Sequence, residues 1–158
     1  MKNLKKEDFY DWVKNYFPSY LKNPNYDLDT LIELYQRGKD ILGKFKIGDI
    51  VSYDWQWQYS PPDDLTYTSV AIFNCYKRDE SGDVCMSSNN HFIFNALISD
   101  TNIYDIDDNQ LSINNNFVCL DDMRLASEDE KKFFFEKIKK YTNQELDERK
   151  LSLKIKNT

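Results

Sequence analysis

The residues best suited to bind a metal or attack a substrate are three cysteines and one histidine. Cys75, Cys85, Cys119 and His91 contain the donor atoms of a Cys3His zinc site. Their spacing does not match a zinc knuckle, and no Cys-x-x-Cys pair occurs. A single histidine also leaves only one candidate base to activate a Ser or Cys nucleophile. Because the cysteines are odd in number and form no Cys-x-x-Cys pair, we expect free thiols in a reducing compartment.

A second arrangement with metal-binding chemistry begins at residue 105. Asp105, Asp107 and Asn109 occupy positions one, three and five of a calcium loop, whose oxygen ligands converge on one cation. Position six is Gln110 instead of glycine, and position twelve is Asn116 instead of glutamate. These departures favour a solvated Asn/Asp turn over a calcium site.

The only enzyme class with any support is a carboxylate-metal hydrolase. Asp63–Asp64 and Asp121–Asp122 would supply further carboxylates for a two-metal site. The chain has only four glycines, no Gly-rich phosphate loop and no recognisable nucleophile constellation. We predict no catalytic residue, no bound metal and no cofactor.

An aromatic strand lies at the centre of the sequence. Residues 51–59 alternate apolar and polar side chains, which indicates a strand with one buried face. Its aromatic residues Trp55, Trp57 and Tyr59 either pack as core beneath a helix or form a platform for nucleobases or sugar rings. The core interpretation predicts that Trp12, Trp55 and Trp57 are largely buried. The platform interpretation predicts a binder of single-stranded nucleic acid or glycan.

Charge is unevenly distributed along a chain whose net charge is −6. Residues 46–126 contain 4 Lys/Arg and 13 Asp/Glu, whereas residues 1–45 and 127–158 are close to neutral. Such an acidic segment repels phosphate backbones and attracts positive surfaces. We therefore expect a basic protein partner, and not nucleic acid, to bind this segment. The candidate partner-binding residues are Asp63, Asp64, Asp105, Asp107 and Asp108.

Hydrophobic periodicity predicts two helices before the aromatic strand. The first begins near Lys6, has an apolar stripe with the spacing i, i+3, i+4, i+7 and i+8, and ends at Pro18. Asp27 or Asp29 is expected to cap a second helix that Gly43 ends and whose middle Gly38 weakens. The stripes comprise Phe9, Trp12, Val13, Tyr16 and Phe17 in the first helix, and Leu28, Leu31, Ile32, Tyr35, Ile41 and Leu42 in the second.

Several short strands follow the aromatic strand. Their predicted ranges are 66–76, 84–87, 91–98, 103–106, 111–113 and 117–120, with a hairpin turn at 79–83. The order helix, helix, many short strands, helix predicts an α+β fold. We expect a bent antiparallel sheet, or a small SH3-like or OB-like barrel, of five or six strands covered by helices.

The C-terminal part begins with a capping box, in which Ser127 and Glu130 satisfy each other's backbone at a helix start. The apolar face of this third helix comprises Phe133, Phe134, Phe135, Ile138 and Tyr141. After Thr142 two alternatives remain open. The tail is either a helix capped by Thr142 and Glu145, or an edge strand that uses the alternation of Leu151, Leu153 and Ile155.

The start of the third helix resembles the ending of small proteins from Bacteroides-group bacteria and their phages. The resemblance rests on Arg124-Leu125-Ala126-Ser127-Glu128-Asp129-Glu130, followed by Phe134-Phe135-Glu136-Lys137-Ile138. In that group the helix follows a β region and leads into a final segment rich in Trp/Tyr and Glu-Lys. The Gly-Tyr and Trp-Asp steps of that segment are missing here. The resemblance covers about a quarter of the chain and implies a phage or mobile-element accessory protein, with no activity to transfer.

The length of 158 residues predicts one domain with a helical part (1–45), an acidic β region (46–126) and a C-terminal helix and tail (127–158). No apolar run approaches the roughly 18 residues of a membrane helix. The first residues lead into acidic positions instead of an apolar signal segment. We expect a cytoplasmic protein without membrane contact.

Overall fold

The structure is a computed structural model that describes residues 6–23, 25, 27–56, 66–88, 90–100, 102–104, 111–120 and 123–157. The helices are α1 (Lys6–Tyr16), α2 (Ser19–Lys22), α3 (Leu28–Gly38), α4 (Glu128–Thr142) and α5 (Glu148–Lys156). The strands are β1 (Ile50–Gln56), β2 (Thr66–Tyr76), β3 (Phe92–Asp100), β4 (Leu111–Leu120) and β5 (Arg124–Leu125).

The five strands form one antiparallel sheet in the order β4-β3-β2-β1-β5. This confirms the predicted α+β fold with helices at both ends of the chain. Within the described residues no pairing joins β4 to β5, so the sheet is open and not a closed barrel. Register shifts interrupt the pairing of β2 with β3 and of β3 with β4, and bulges of this kind bend strands.

Each face of the sheet has a different cover. One face, which we call the aromatic face, carries Val51, Phe73 and Phe94. It adjoins a cluster in which Trp12 of α1, Phe17 just after α1 and Leu31 of α3 pack with Phe92. The other face, the α4 face, carries Ile50, Val70 and Ile72, which pack against Phe134 and Ile138 of α4 and Leu151 of α5. Phe45 and Met123, which lie outside the helices, pack with Val51 on the aromatic face, and Glu130 of α4 contacts Ser52 on the other, so both Val51 and Ser52 of β1 are fully buried. The expectation of a single buried face for this strand was therefore wrong at its start.

The two predicted N-terminal helices correspond to α1 and α3, but the short helix α2 was not predicted and several details of α3 need correction. Asp27 caps α3 by accepting a hydrogen bond from the Asp29 backbone N–H at 3.0 Å. The helix ends at Gly38, not at Gly43, and a Cβ at Gly38 would lie 2.8 Å from the Trp12 ring. Gly38 is therefore the point where α3 closely approaches Trp12, instead of a weak residue in mid-helix. Leu28 and Ile32, predicted on the apolar stripe, are exposed.

The strand boundaries also needed correction. Residues 66–76 form a strand as predicted. Residues 84–87 form no strand and make only isolated bridges, Arg78 with Val84 and Met86 with Phe92. The two predicted strands at 111–113 and 117–120 are one continuous strand, β4. Ile103 and Tyr104 lie in a turn, and residues 57–59 and 105–106 lie outside the described residues.

The C-terminal helices resolve the alternative left open by the sequence. The capping box of α4 is confirmed: the Ser127 side chain accepts from the Glu130 N–H, and the Glu130 side chain accepts from the Ser127 N–H. The tail is a helix, and the edge-strand alternative is wrong. Its cap is Asp147, which accepts from the Lys150 N–H at 2.8 Å, instead of Thr142 or Glu145.

Across the described ranges, no helix combines the length and the apolar character that crossing a bilayer would require.

Candidate functional site

Trp55 is the one member of the predicted aromatic platform that the structure describes. It is partly buried on β1, and its ring stacks on Tyr67 of β2 with centroids 4.8 Å apart. Its indole N–H donates to the Ser69 hydroxyl at 2.7 Å. One face of the indole and its only donor are thus engaged within the sheet. The prediction of a largely buried tryptophan is confirmed for Trp12, at 9% exposure, but Trp55 is only partly buried and Trp57 and Tyr59 lie outside the described residues.

The predicted acidic residues Asp63, Asp64, Asp105, Asp107 and Asp108 all lie outside the described residues. The residues that flank their two segments are described. Gln56 pairs with Thr66, Val70 pairs with Asp100, and Asp100 pairs with Leu111. Both segments are therefore connected to the same end of the sheet.

The acidic residues of 46–126 that the structure does describe are mostly engaged in the fold. Asp100 pairs with Lys137 at 2.8 Å, and Asp54 lies 3.6 Å from Arg124. Asp83 accepts hydrogen bonds from the backbone and hydroxyl of Ser19. Seven of the 13 Asp/Glu, but none of the 4 Lys/Arg, belong to segments outside the described residues. Most of the excess negative charge is thus carried by those segments.

Glu130 joins the start of α4 to the sheet. Its carboxylate accepts two hydrogen bonds from the Arg124 guanidinium, at 2.7 and 3.0 Å, and one from the Ser52 hydroxyl at 3.1 Å. Burial alone would raise the pKa of Glu130, but the hydrogen bonds from Arg124 and Ser127 and the charge of Arg124 outweigh it and lower the pKa to about 2. The carboxylate is therefore a permanently charged anchor and not a proton donor or acceptor near neutral pH.

A second buried charge lies farther along α4. The Lys137 ammonium donates to the Asp100 carboxylate at 2.8 Å and to the Asn102 carbonyl at 3.0 Å, and both charged side chains are at most 5% exposed. A buried pair of this kind needs extra hydrogen bonds to offset its desolvation, and Asn102 supplies one. We interpret it as a structural link between α4 and the end of β3.

A groove of about 600 Å³ lies between α3 and the segment that follows β2. Phe17, Leu34 and Val84 are its buried apolar residues, and Glu33, Arg37 and Asp79 are among its charged ones. The volume falls within the range of about 300–1,000 Å³ found for ligand sites. Its lining thus combines apolar and charged side chains in one concave surface.

The residues considered for metal chemistry are not assembled where they are described. Cys75 is exposed, Cys85 is partly buried, and both are free thiols. Neither they nor His91 belong to any group of three potential ligands with metal-binding spacing among the described residues. The remaining candidates lie outside the described residues. They are the side chain of Cys119, the predicted calcium loop from Asp105, and the carboxylates Asp63, Asp64, Asp121 and Asp122.

Sequence reasoning missed the groove and both buried ionic contacts. Lys137 and Asp100 are 37 residues apart, and the hydrogen bond between Ser52 and Glu130 spans 78 residues, although Arg124, the ionic partner of Glu130, is only six residues away. The one available signal was the position of Glu130 in the capping box, which explains its contact with Ser127 but not those with Arg124 and Ser52. No local pattern predicts such distant pairs.

No protein-family model matches this sequence, and neither the curated proteins nor the solved structures give a significant match. Its function is therefore inferred from its own charge distribution and geometry.

Proposed function

We propose that this protein binds a basic partner protein through its acidic β region, residues 46–126, as a non-enzymatic accessory protein. The contact residues in this proposal are Asp63, Asp64, Asp105, Asp107 and Asp108. The resemblance of its C-terminal helix extends the proposal to a role in a phage or mobile element. A partner that normally holds nucleic acid would then meet the carboxylates as phosphate mimics.

The observation that carries the proposal is the common attachment of the two acidic segments. Residues 57–65 connect β1 to β2, and residues 101–110 connect β3 to β4, at the same end of the sheet. Five carboxylates tethered at one end create a negative field that speeds encounter with a positive surface.

The test compares capture of partners by two variants of equal net charge. The first replaces all five of those aspartates by asparagine. The control neutralises five exposed acidic residues elsewhere: Glu7→Gln, Asp11→Asn, Asp40→Asn, Asp129→Asn and Glu136→Gln. Tagged proteins expressed in the native cell are isolated at low and high salt, and bound proteins are identified by mass spectrometry.

We expect a basic protein that the wild type and the control retain, that the five-aspartate variant loses, and that salt releases, because exposed charges are screened within about 10 Å at 0.1 M salt. Equal loss from both variants would reduce the effect to net charge and contradict the site. Binding of oligonucleotides at physiological salt, abolished by Trp55→Ala, would instead support the aromatic platform.

A further inference from the structure

The groove between α3 and the segment that follows β2 has walls that the fold fixes in place. The Asp83 carboxylate accepts from the Ser19 backbone N–H at 2.9 Å and from its hydroxyl. The Val84 N–H donates to the Tyr16 carbonyl at 2.9 Å, and the Arg37 guanidinium donates to the Asn90 carbonyl. Such a groove is largely formed before a ligand arrives, which lowers the entropy cost of binding.

The lining has an apolar floor and an acidic rim. The floor is the buried surface of Phe17, Leu34 and Val84, with Tyr20 and Met86 partly exposed beside it. The charged lining residues are Glu33, Asp79 and Asp83 against the single cation Arg37. Asp83 is buried and accepts from Ser19, one Asp79 oxygen accepts from the backbone N–H groups of Ser81 and Asp83, and Arg37 donates to the Asn90 carbonyl. The exposed charged residues of the rim are therefore two carboxylates, Glu33 and Asp79, against the single cation Arg37.

We propose that this groove binds a short segment of a partner protein in which an arginine or lysine is flanked by apolar residues. The long aliphatic stems of these side chains cover apolar surface while their charged ends remain near water and carboxylates. Glu33 and Asp79 would face the cation, and the floor would receive the flanking apolar side chains. This site lies outside the five aspartates of the proposed function and extends it, since both require a basic partner.

Position separates the two surfaces. Asn90 precedes β3, which begins at Phe92, whereas one acidic segment joins the end of β1 to the start of β2 and the other joins the end of β3 to the start of β4. The groove therefore lies at the opposite end of the sheet and is tested independently of those segments.

The test is an NMR titration of the isotope-labelled full chain with three probes. The first is the acetylated, amidated tripeptide leucyl-arginyl-leucine, the second has glutamate in place of arginine, and the third is arginine amide alone. We expect the arginine tripeptide at millimolar concentration to shift the amide signals of Leu34, Val84 and Met86. The glutamate tripeptide should bind at least about tenfold more weakly, because like charges repel across the rim.

Matched charge reversals on two helices locate the binding. Glu33→Lys on α3 should weaken binding of the arginine tripeptide at least about fivefold, because it replaces an attraction by a repulsion. Glu136→Lys makes the same change at an exposed position in the middle of α4 and should leave binding unchanged. The five-aspartate variant should also bind the tripeptide normally, so failure of one proposal does not imply failure of the other.

Three results would overturn the proposal. They are the absence of shifts at millimolar tripeptide, equal binding of the glutamate tripeptide, and shifts confined to another surface. Equal affinity for arginine amide alone would also contradict it, because the site would then recognise a small cation without using its apolar floor.

Discussion

The N-terminal and C-terminal helices are attached to the same sheet in different ways. At the N-terminal side the contacts are aromatic. The centroid of the Trp12 ring lies 5.4 Å from that of Phe17 and 5.1 Å from that of Tyr35, and the Phe17 ring contacts Phe92 of β3. At the C-terminal side α4 also uses apolar residues, but it adds two ion pairs with buried carboxylates, Glu130 with Arg124 and Lys137 with Asp100 of β3. The N-terminal helices are thus attached mainly by apolar packing, whereas α4 is attached by apolar packing and by ion pairs.

This difference has consequences for how each attachment fails. Apolar packing is non-directional and insensitive to pH, so it weakens in proportion to the surface or volume that is changed. A buried ion pair loses much more when one partner is removed, because the remaining charge stays in a poor environment. The α4 side should therefore respond to charge and pH, and the α1–α3 side to volume.

The largest expected effect is that of Lys137→Met. It leaves the Asp100 carboxylate, whose side chain is 0% exposed, without its cation, and breaking such a pair typically costs about 3–5 kcal/mol of unfolding free energy. Urea denaturation at pH 7 measures the loss. Adding Asp100→Asn should recover a large part of it by removing the buried charge.

The control for that prediction is Lys132→Met, an exposed lysine on the same helix, which should change stability by less than about 0.5 kcal/mol. Equal losses in the two variants would mean that the ion pair contributes nothing specific to the attachment of α4.

The second effect is the pH dependence supplied by Glu130. Its pKa is lowered to about 2 from an ordinary value of 4.5, so its contribution is fully present above about pH 4.5 and is lost as the pH falls toward 2. One pKa unit corresponds to about 1.4 kcal/mol, so Glu130→Gln should cost up to about 3 kcal/mol at pH 7. The difference from the wild type should persist at pH 5 and shrink in urea titrations at pH 4 and 3. The exposed Glu136→Gln serves as control. A difference that stays constant with pH would refute the assignment.

The third effect tests the aromatic attachment. In an open helix Gly→Ala stabilises by up to about 1 kcal/mol, but at Gly38 the new Cβ would lie 2.8 Å from Trp12 and 3.1 Å from Phe92. We expect Gly38→Ala to destabilise by about 1–2 kcal/mol through overpacking. Gln36→Ala, exposed on the same helix, should be neutral or slightly stabilising in thermal denaturation. Stabilisation by Gly38→Ala would show that the Trp12 contact is loose.

The sequence predicted those parts of the fold that depend on neighbouring residues. The stripe from Phe9 to Phe17, the cap at Asp27 and the capping box at Ser127 each need only a few consecutive positions, and all are found. The continuity of β4 was missed because its central residues 114–116 are all asparagine, a residue rare in strands. Pairing with β3 outweighs that preference.

The candidate sites were less predictable because their residues come from distant parts of the chain. Glu33 of α3 and Asp79 both line the groove, and no sequence pattern of period 2 or 3.6 relates two residues so far apart in the chain. Composition alone indicated an acidic region. It did not indicate that Asp54, Asp83 and Asp100 are used inside the fold, because their partners Arg124, Ser19 and Lys137 come from other elements.

The smallest effect concerns Tyr76, which links the aromatic face to the loop after α3. Its hydroxyl donates to the Ile41 carbonyl at 2.8 Å, and burial raises its pKa to about 12. Tyr76→Phe should cost about 1 kcal/mol at neutral pH, the typical net value of one hydrogen bond. The exposed Tyr10→Phe is the matched control and should cost almost nothing.

The raised pKa of Tyr76 also fixes the sign of its pH dependence. The neutral hydroxyl contributes fully below about pH 10, the ordinary value, and the contribution is lost as the pH rises toward 12 because the unfolded chain ionises first. Burial also raises the pKa of Tyr16, so the tyrosinate absorbance of the folded wild type should show more than one late ionisation. Tyr76→Phe should remove the step near pH 12, and Tyr10→Phe should retain it. If that step survives in Tyr76→Phe, a different tyrosine is responsible for it, and the aromatic side of the molecule would have no pH-dependent contact at this position.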